Sequence, residues 1–118
     1  MKKTICVVGS GNLGSRYLEG IGSCKNEYNI FIIDTSEVSL SNCKNHWLKN
    51  VESKKRENHN IRFQDNFTNL PKRIDLAIVS TTSNVRSNVV AKLLKSSDIK
   101  FWILEKVIAQ SEQQLIQI

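Results

Sequence analysis

Gly9, Gly11 and Gly14 stand in the spacing G-x-G-x-x-G, and Asp34 follows 20 residues after the last of them. These residue types at this spacing suit the binding of a dinucleotide. Gly9 permits a tight turn, and Gly11 lacks the Cβ that would hold a pyrophosphate off the backbone. Gly14 lets a helix pack closely on a strand. A helix starting there presents free N–H groups and a positive dipole end to phosphate oxygens. An acid at the tip of the next strand accepts hydrogen bonds from ribose hydroxyls. The other polar groups that invite a chemical role are the hydroxyl run Ser80-Thr81-Thr82-Ser83 and the pair Glu105-Lys106.

The flanking elements decide whether the glycines are more than a flexible loop. Thr4 to Val8 is a short, apolar, β-branched run, as expected of a strand buried on both faces of a parallel sheet. Ile30-Phe31-Ile32-Ile33 is a second such run, ending in Asp34. Strand, glycine turn, helix, strand and acid together read as a dinucleotide-binding βαβ unit.

The 118 residues suffice for one domain, and 40% hydrophobic with 24% charged residues is ordinary for a soluble globular chain. No apolar stretch approaches a membrane span. The run after Met1-Lys2-Lys3 breaks at Gly9, too short for a signal peptide. Cys6, Cys24 and Cys43 have no metal-ligand spacing and read as reduced thiols of a cytoplasmic protein. No metal site is expected. The net charge of +6 is concentrated between Lys44 and Arg62. Without any nucleic-acid motif, that segment reads as a solvated helix face and no nucleic-acid partner is expected.

Along the chain, Leu13, Tyr17 and Ile21, with Leu18 beside them, give the first helix an apolar stripe that ends near Gly20 and Gly22. Ser36 to Glu57 reads as a second helix, capped by Ser36 or Ser39, with Leu40, Cys43, Trp47 and Val51 as its buried stripe. His46 and His59 read as surface residues. A short strand is expected near Ile61-Arg62-Phe63, then a loop from Gln64 to Arg73 around Pro71. Asp75 to Val79 forms a buried strand ending in the hydroxyl run. A helix follows from Asn84 with Val85, Val89 and Leu93 on one face, and Lys100 to Leu104 forms a fifth strand. Ser111 and Gln114 resemble a capping box opening another helix.

Strands alternating with helices predict an α/β, doubly wound parallel sheet of three αβα layers, in the order 3-2-1-4-5. The cofactor crevice then lies at the carboxyl ends of strands 1 and 4. The hydroxyl run and Lys106 fall on that same edge.

Two further stretches resemble the Gfo/Idh/MocA oxidoreductase family. They are Ile78-Val79-Ser80-Thr81-Thr82-Ser83-Asn84-Val85-Arg86 and Leu104-Glu105-Lys106-Val107-Ile108-Ala109. That family has segments like A-T-P-N-x-x-H and E-K-P-L-A there, and its N-terminal domain also carries the glycine turn and the acid. The resemblance covers essentially the whole chain. It implies NAD(P)-dependent hydride transfer on a sugar, polyol or related hydroxyl–carbonyl substrate. Thr81 matches the threonine near the nicotinamide ribose, Glu105 the glutamate, and Lys106 the catalytic lysine that contacts the reacting hydroxyl. An ammonium there can stabilise a developing alkoxide or exchange a proton with it. The cofactor set is therefore Gly9, Ser10, Gly11, Asn12, Leu13, Gly14, Asp34, Thr35, Ser80, Thr81, Thr82, Asn84 and Glu105.

Thr82, Ser83, Arg86 and Val107 depart from the family pattern, Val107 by replacing a proline that helps to fix the turn after the lysine. Family members also carry a second, sheet-containing domain that closes over the nicotinamide, supplies most substrate contacts and forms the dimer. The expectation is therefore the cofactor domain of a larger oxidoreductase, cut before its substrate domain. It should be monomeric, inactive alone, and have an apolar patch where the second domain docks. NAD is expected over NADP, because Asp34 and Glu37 repel a 2′-phosphate and no basic residue among Thr35-Ser36-Glu37 offsets them. A non-catalytic NAD-binding regulatory or assembly module is the alternative.

Overall fold

The computed structural model describes residues 2–81 and 83–105. The apolar runs form five strands: β1 (Lys3–Val8), β2 (Tyr28–Ile33), β3 (Asn60–Gln64), β4 (Arg73–Val79) and β5 (Asp98–Leu104). They pair in parallel in the order β3-β2-β1-β4-β5. Val8 lies beside both Ile33 and Val79, and Val79 lies beside Leu104. The carboxyl ends of four strands are thus level along one edge.

Helices α1 (Asn12–Gly22) and α2 (Glu37–Asn50) cover one face, and α4 (Ser83–Ser96) covers the other. A single turn, α3 (Ser53–Arg56), follows α2. Leu18, Cys43 and Trp47 pack on Ile5, Val7, Ile30, Ile32 and Ile78. Val89 and Leu93 pack on Cys6, Val8, Ala77 and Val79. Alternate residues of β1 thus enter two different cores, which is why the strand is continuously apolar and not alternating. The fold class and strand order agree with the sequence reading. Among the described residues, no helix is long and apolar enough to cross a membrane.

Two local expectations need correction. The second helix does not run unbroken to Glu57. Val51 is extended (φ −109°, ψ 126°) and buried, so the chain leaves α2 at Asn50 and turns through α3 into β3. The Arg56 guanidinium supports this break by donating to the carbonyls of Leu48 and Val51 near the end of α2. At its start, Ser36 is the cap: its hydroxyl accepts from the Ser39 N–H at 3.2 Å.

His59 is not a surface residue; it is 6% exposed. Its Nδ1 accepts from the Tyr28 N–H at 3.1 Å, and its Nε2 lies 3.2 Å from the Gly22 carbonyl. That pattern fits the tautomer protonated on Nε2, and it ties the end of α1 to the starts of β2 and β3. The ring also stacks on Tyr28 and meets Trp47 edge-on. His46 is half-exposed and lies 3.0 Å from Glu19 on α1. All three cysteines are free, and burial pushes the Cys6 thiol up to about 12, away from the reactive thiolate.

Among the described residues, two grooves of opposite character lie on the faces of the sheet. On the α4 side, the β3–β4 connection (65–72) has no helix, leaving a groove of about 710 Å³. Its lining includes the polar Asn29, Asn60 and Arg62 alongside Phe31. On the α1 side, Leu13, Tyr17, Ile21, Leu76, Ile78 and Ile103 line a groove of about 430 Å³. That groove is apolar. The first helix is most buried along Gly14, Ser15, Leu18 and Gly22, so the stripe Leu13, Tyr17 and Ile21 faces this groove and not the centre of the core.

Candidate dinucleotide site

Gly9 takes φ +99°, a conformation that strongly favours glycine, as the chain turns off β1. Its N–H donates to the Ile33 carbonyl at 2.8 Å, and its carbonyl accepts from the Ser80 hydroxyl at 2.9 Å. A Cβ on Gly14 would sit 1.9 Å from the Gly9 carbonyl oxygen, so α1 meets the turn as closely as backbone permits. Gly11 differs: a Cβ there would meet nothing within 4 Å. Gly11 is the N-cap of α1, without a side-chain cap bond, and the first turn holds no acidic residue. The positive end of α1 therefore opens beside a residue whose missing side chain leaves room for an anion.

Asp34 follows β2 on the same edge. Its Oδ2 accepts from the Ser10 N–H at 2.8 Å and the Ser10 hydroxyl at 2.9 Å, while Oδ1 accepts from the Ser36 N–H at 2.9 Å. The carboxylate thus braces the glycine turn against the start of α2. Three of its roughly four acceptor positions are used, so a ribose reaching Asp34 takes the remaining one or displaces the rotatable Ser10 hydroxyl. Ser10 itself is buried, whereas Asn12 and Thr35 are exposed beside it.

Across the edge, Ser80 is committed to the turn, its hydroxyl within reach of both the Gly9 and Val8 carbonyls. Thr81 is different: among the described residues, its Oγ1 is a buried side-chain oxygen with no hydrogen-bond partner. An unpaired buried hydroxyl is costly. Glu105 continues the ladder one residue past β5, its N–H donating to the Val79 carbonyl at 2.9 Å. The Glu105 carboxylate accepts from the Tyr17 hydroxyl of α1. This hydrogen bond, with lesser contributions from burial and the carboxylate charge, raises the Tyr17 phenol above its ordinary value.

The structure therefore brings the glycine turn, Asp34, Ser80, Thr81 and Glu105 to one sheet edge. Asn84 lies in the first turn of α4, while Thr82 and Lys106 lie outside the described residues. The sequence pattern assigns Tyr17 to packing only. Its spacing with Leu13 and Ile21 is the same for a packing residue and for one that reaches the edge, and only its hydroxyl hinted at the second role. Among the described residues, no group of three His, Cys, Asp or Glu is arranged to hold a metal.

No protein family and no curated protein matches the sequence. The fold resembles that of a solved structure, a diketoreductase described for its substrate-directed dual catalysis of dicarbonyl compounds. It superposes with a TM-score of 0.68 at 17% identity, covering 98% of this chain and 45% of that one. The likeness is one of fold. This chain spans less than half the length of the enzyme it resembles.

Proposed function

We propose that this chain is the NAD-binding domain of an oxidoreductase, able to bind the cofactor and dependent on further chain for turnover. The observation that carries the reading is the uncapped N-terminus of α1 at Gly11, open to an anion and flanked by Asp34 on one side and, on the other, by the Thr81 hydroxyl, which has no hydrogen-bond partner among the described residues. The backbone at Gly11 to Gly14 would hold the pyrophosphate, Asp34 the adenosine ribose, and Thr81 a group of the nicotinamide half. Bound NAD supplies the hydride acceptor. The resemblance to the Gfo/Idh/MocA family extends the reading to a sugar, polyol or related substrate, with Lys106 stabilising or exchanging the proton of its reacting hydroxyl. The apolar groove beside α1 would then be covered by the rest of a two-domain enzyme. Val107, where a proline is usual after that lysine, favours the second reading, a non-catalytic NAD-binding module.

Cofactor choice tests the reading at Asp34. A 2′-phosphate charge about 4 Å from the carboxylate is repelled by roughly 1 kcal/mol in water and 4 kcal/mol at an effective dielectric of 20. Calorimetric titration should show NAD⁺ binding at least about fivefold more tightly than NADP⁺. Asp34→Ala should weaken NAD⁺ and narrow that gap. Equal affinities in the parent would contradict the assignment of Asp34.

A further inference from the structure

The Tyr17–Glu105 hydrogen bond joins α1 to the residue that follows β5. Tyr17 lines the apolar groove beside α1, and Glu105 lies beyond the last residue of β5. Glu105 shares the strand face of Ile103, which packs on the α1-side core, so its carboxylate projects towards α1, where the phenol meets it. The backbone bond to Val79 and the side-chain bond to Tyr17 together hold this charge in one position. Along the edge, Asp34 after β2 and Glu105 after β5 are separated by three strand spacings, about 14 Å. The glycine turn and Thr81 lie between them.

A dinucleotide with its adenosine at Asp34 and its pyrophosphate at Gly11 must extend its other half over β4 and β5. We propose that Tyr17 is a positioning residue that aims the Glu105 carboxylate at the nicotinamide end of the crevice, and that the pair favours the oxidised cofactor over the reduced one. This rests on the dinucleotide reading above. The oxidised ring carries a positive charge that the reduced ring lacks, and the remainder of the two molecules is the same. A fixed carboxylate near the ring therefore adds to the binding of one form only. The Tyr17 phenol keeps its proton at neutral pH, so it orients the carboxylate without cancelling its charge.

The test is titration of NAD⁺ and NADH into the parent, Glu105→Gln and Tyr17→Phe, with folding checked by circular dichroism. Glu105→Gln should weaken NAD⁺ by about fivefold and leave NADH within about twofold. Tyr17→Phe, which keeps the ring and removes the hydroxyl, should move the ratio the same way by a smaller factor. Equal weakening of both cofactors would mean a purely structural role and overturn the proposal, as would an unchanged ratio in both variants. Binding of neither cofactor to the parent at millimolar concentration would overturn the dinucleotide reading and this proposal with it.

Discussion

Gly14→Ala is expected to destabilise the domain by about 3 kcal/mol or more, which for a domain of this size lowers Tm by about 12 °C. The added Cβ would lie 1.9 Å from the Gly9 carbonyl oxygen and 2.9 Å from its carbon. Both are backbone atoms, and neither can swing aside as a flexible side chain would. The Gly9 carbonyl is held by the Ser80 hydroxyl, and the Gly9 N–H by the Ile33 carbonyl. Relief must come from α1 lifting off β1, which pulls Leu18 out of the α1-side core and moves the helix N-terminus away from the crevice. Urea denaturation measures the cost. A loss below about 1 kcal/mol would show that the helix and the turn are less closely packed than described.

Trp47→Ala should cost about 3–5 kcal/mol, the range for removing a buried aromatic side chain. The indole is 3% exposed and joins α2 to α1. Its ring occupies the space where a Gly22 Cβ would stand, 2.3 Å from Cζ3 and 2.8 Å from Cη2, and it meets the buried His59 edge-on. The contact gives a signature beyond simple destabilisation. In the parent, Gly22→Ala forces the helices apart and should cost about 1–3 kcal/mol. In the Trp47→Ala background the same methyl enters space already vacated, so its cost should fall by about 1 kcal/mol or more. Strict additivity would mean that the indole and Gly22 do not share this space.

Much of the edge was legible because a few backbone demands permit few residues. Gly9 and Gly14 each answer a separate demand, a positive φ and a helix in backbone contact with the turn, whereas the backbone at Gly11 would admit a side chain. Their spacing with Asp34 therefore carried the βαβ unit. The buried strands were legible because apolar runs between polar turns leave few alternatives in a parallel sheet. His59 was not legible. A histidine between two asparagines looks like part of a surface turn, and its burial depends on the Tyr28 N–H and the Gly22 carbonyl, 31 and 37 residues away. The end of α2 was missed because Lys54, Lys55 and Arg56 are good helix formers. The burial of an extended Val51 overrides that local preference. The three bonds that Asp34 makes to Ser10 and Ser36 were also hidden, since spacing places a carboxylate but does not count its partners.

The most direct test of the dinucleotide site compares thermal unfolding of the parent and Gly11→Val, each with and without millimolar NAD⁺. At Gly11 the backbone is extended (φ −68°, ψ −164°) and a Cβ would meet nothing within 4 Å, so the variant should unfold within about 2 °C of the parent. Its side chain fills the approach to the α1 N-terminus. NAD⁺ at about 100 times its Kd should stabilise the parent by about 2.7 kcal/mol, a rise in Tm of about 10 °C, and should leave Gly11→Val unmoved. No rise in the parent, or an equal rise in both proteins, would contradict a dinucleotide site at this turn.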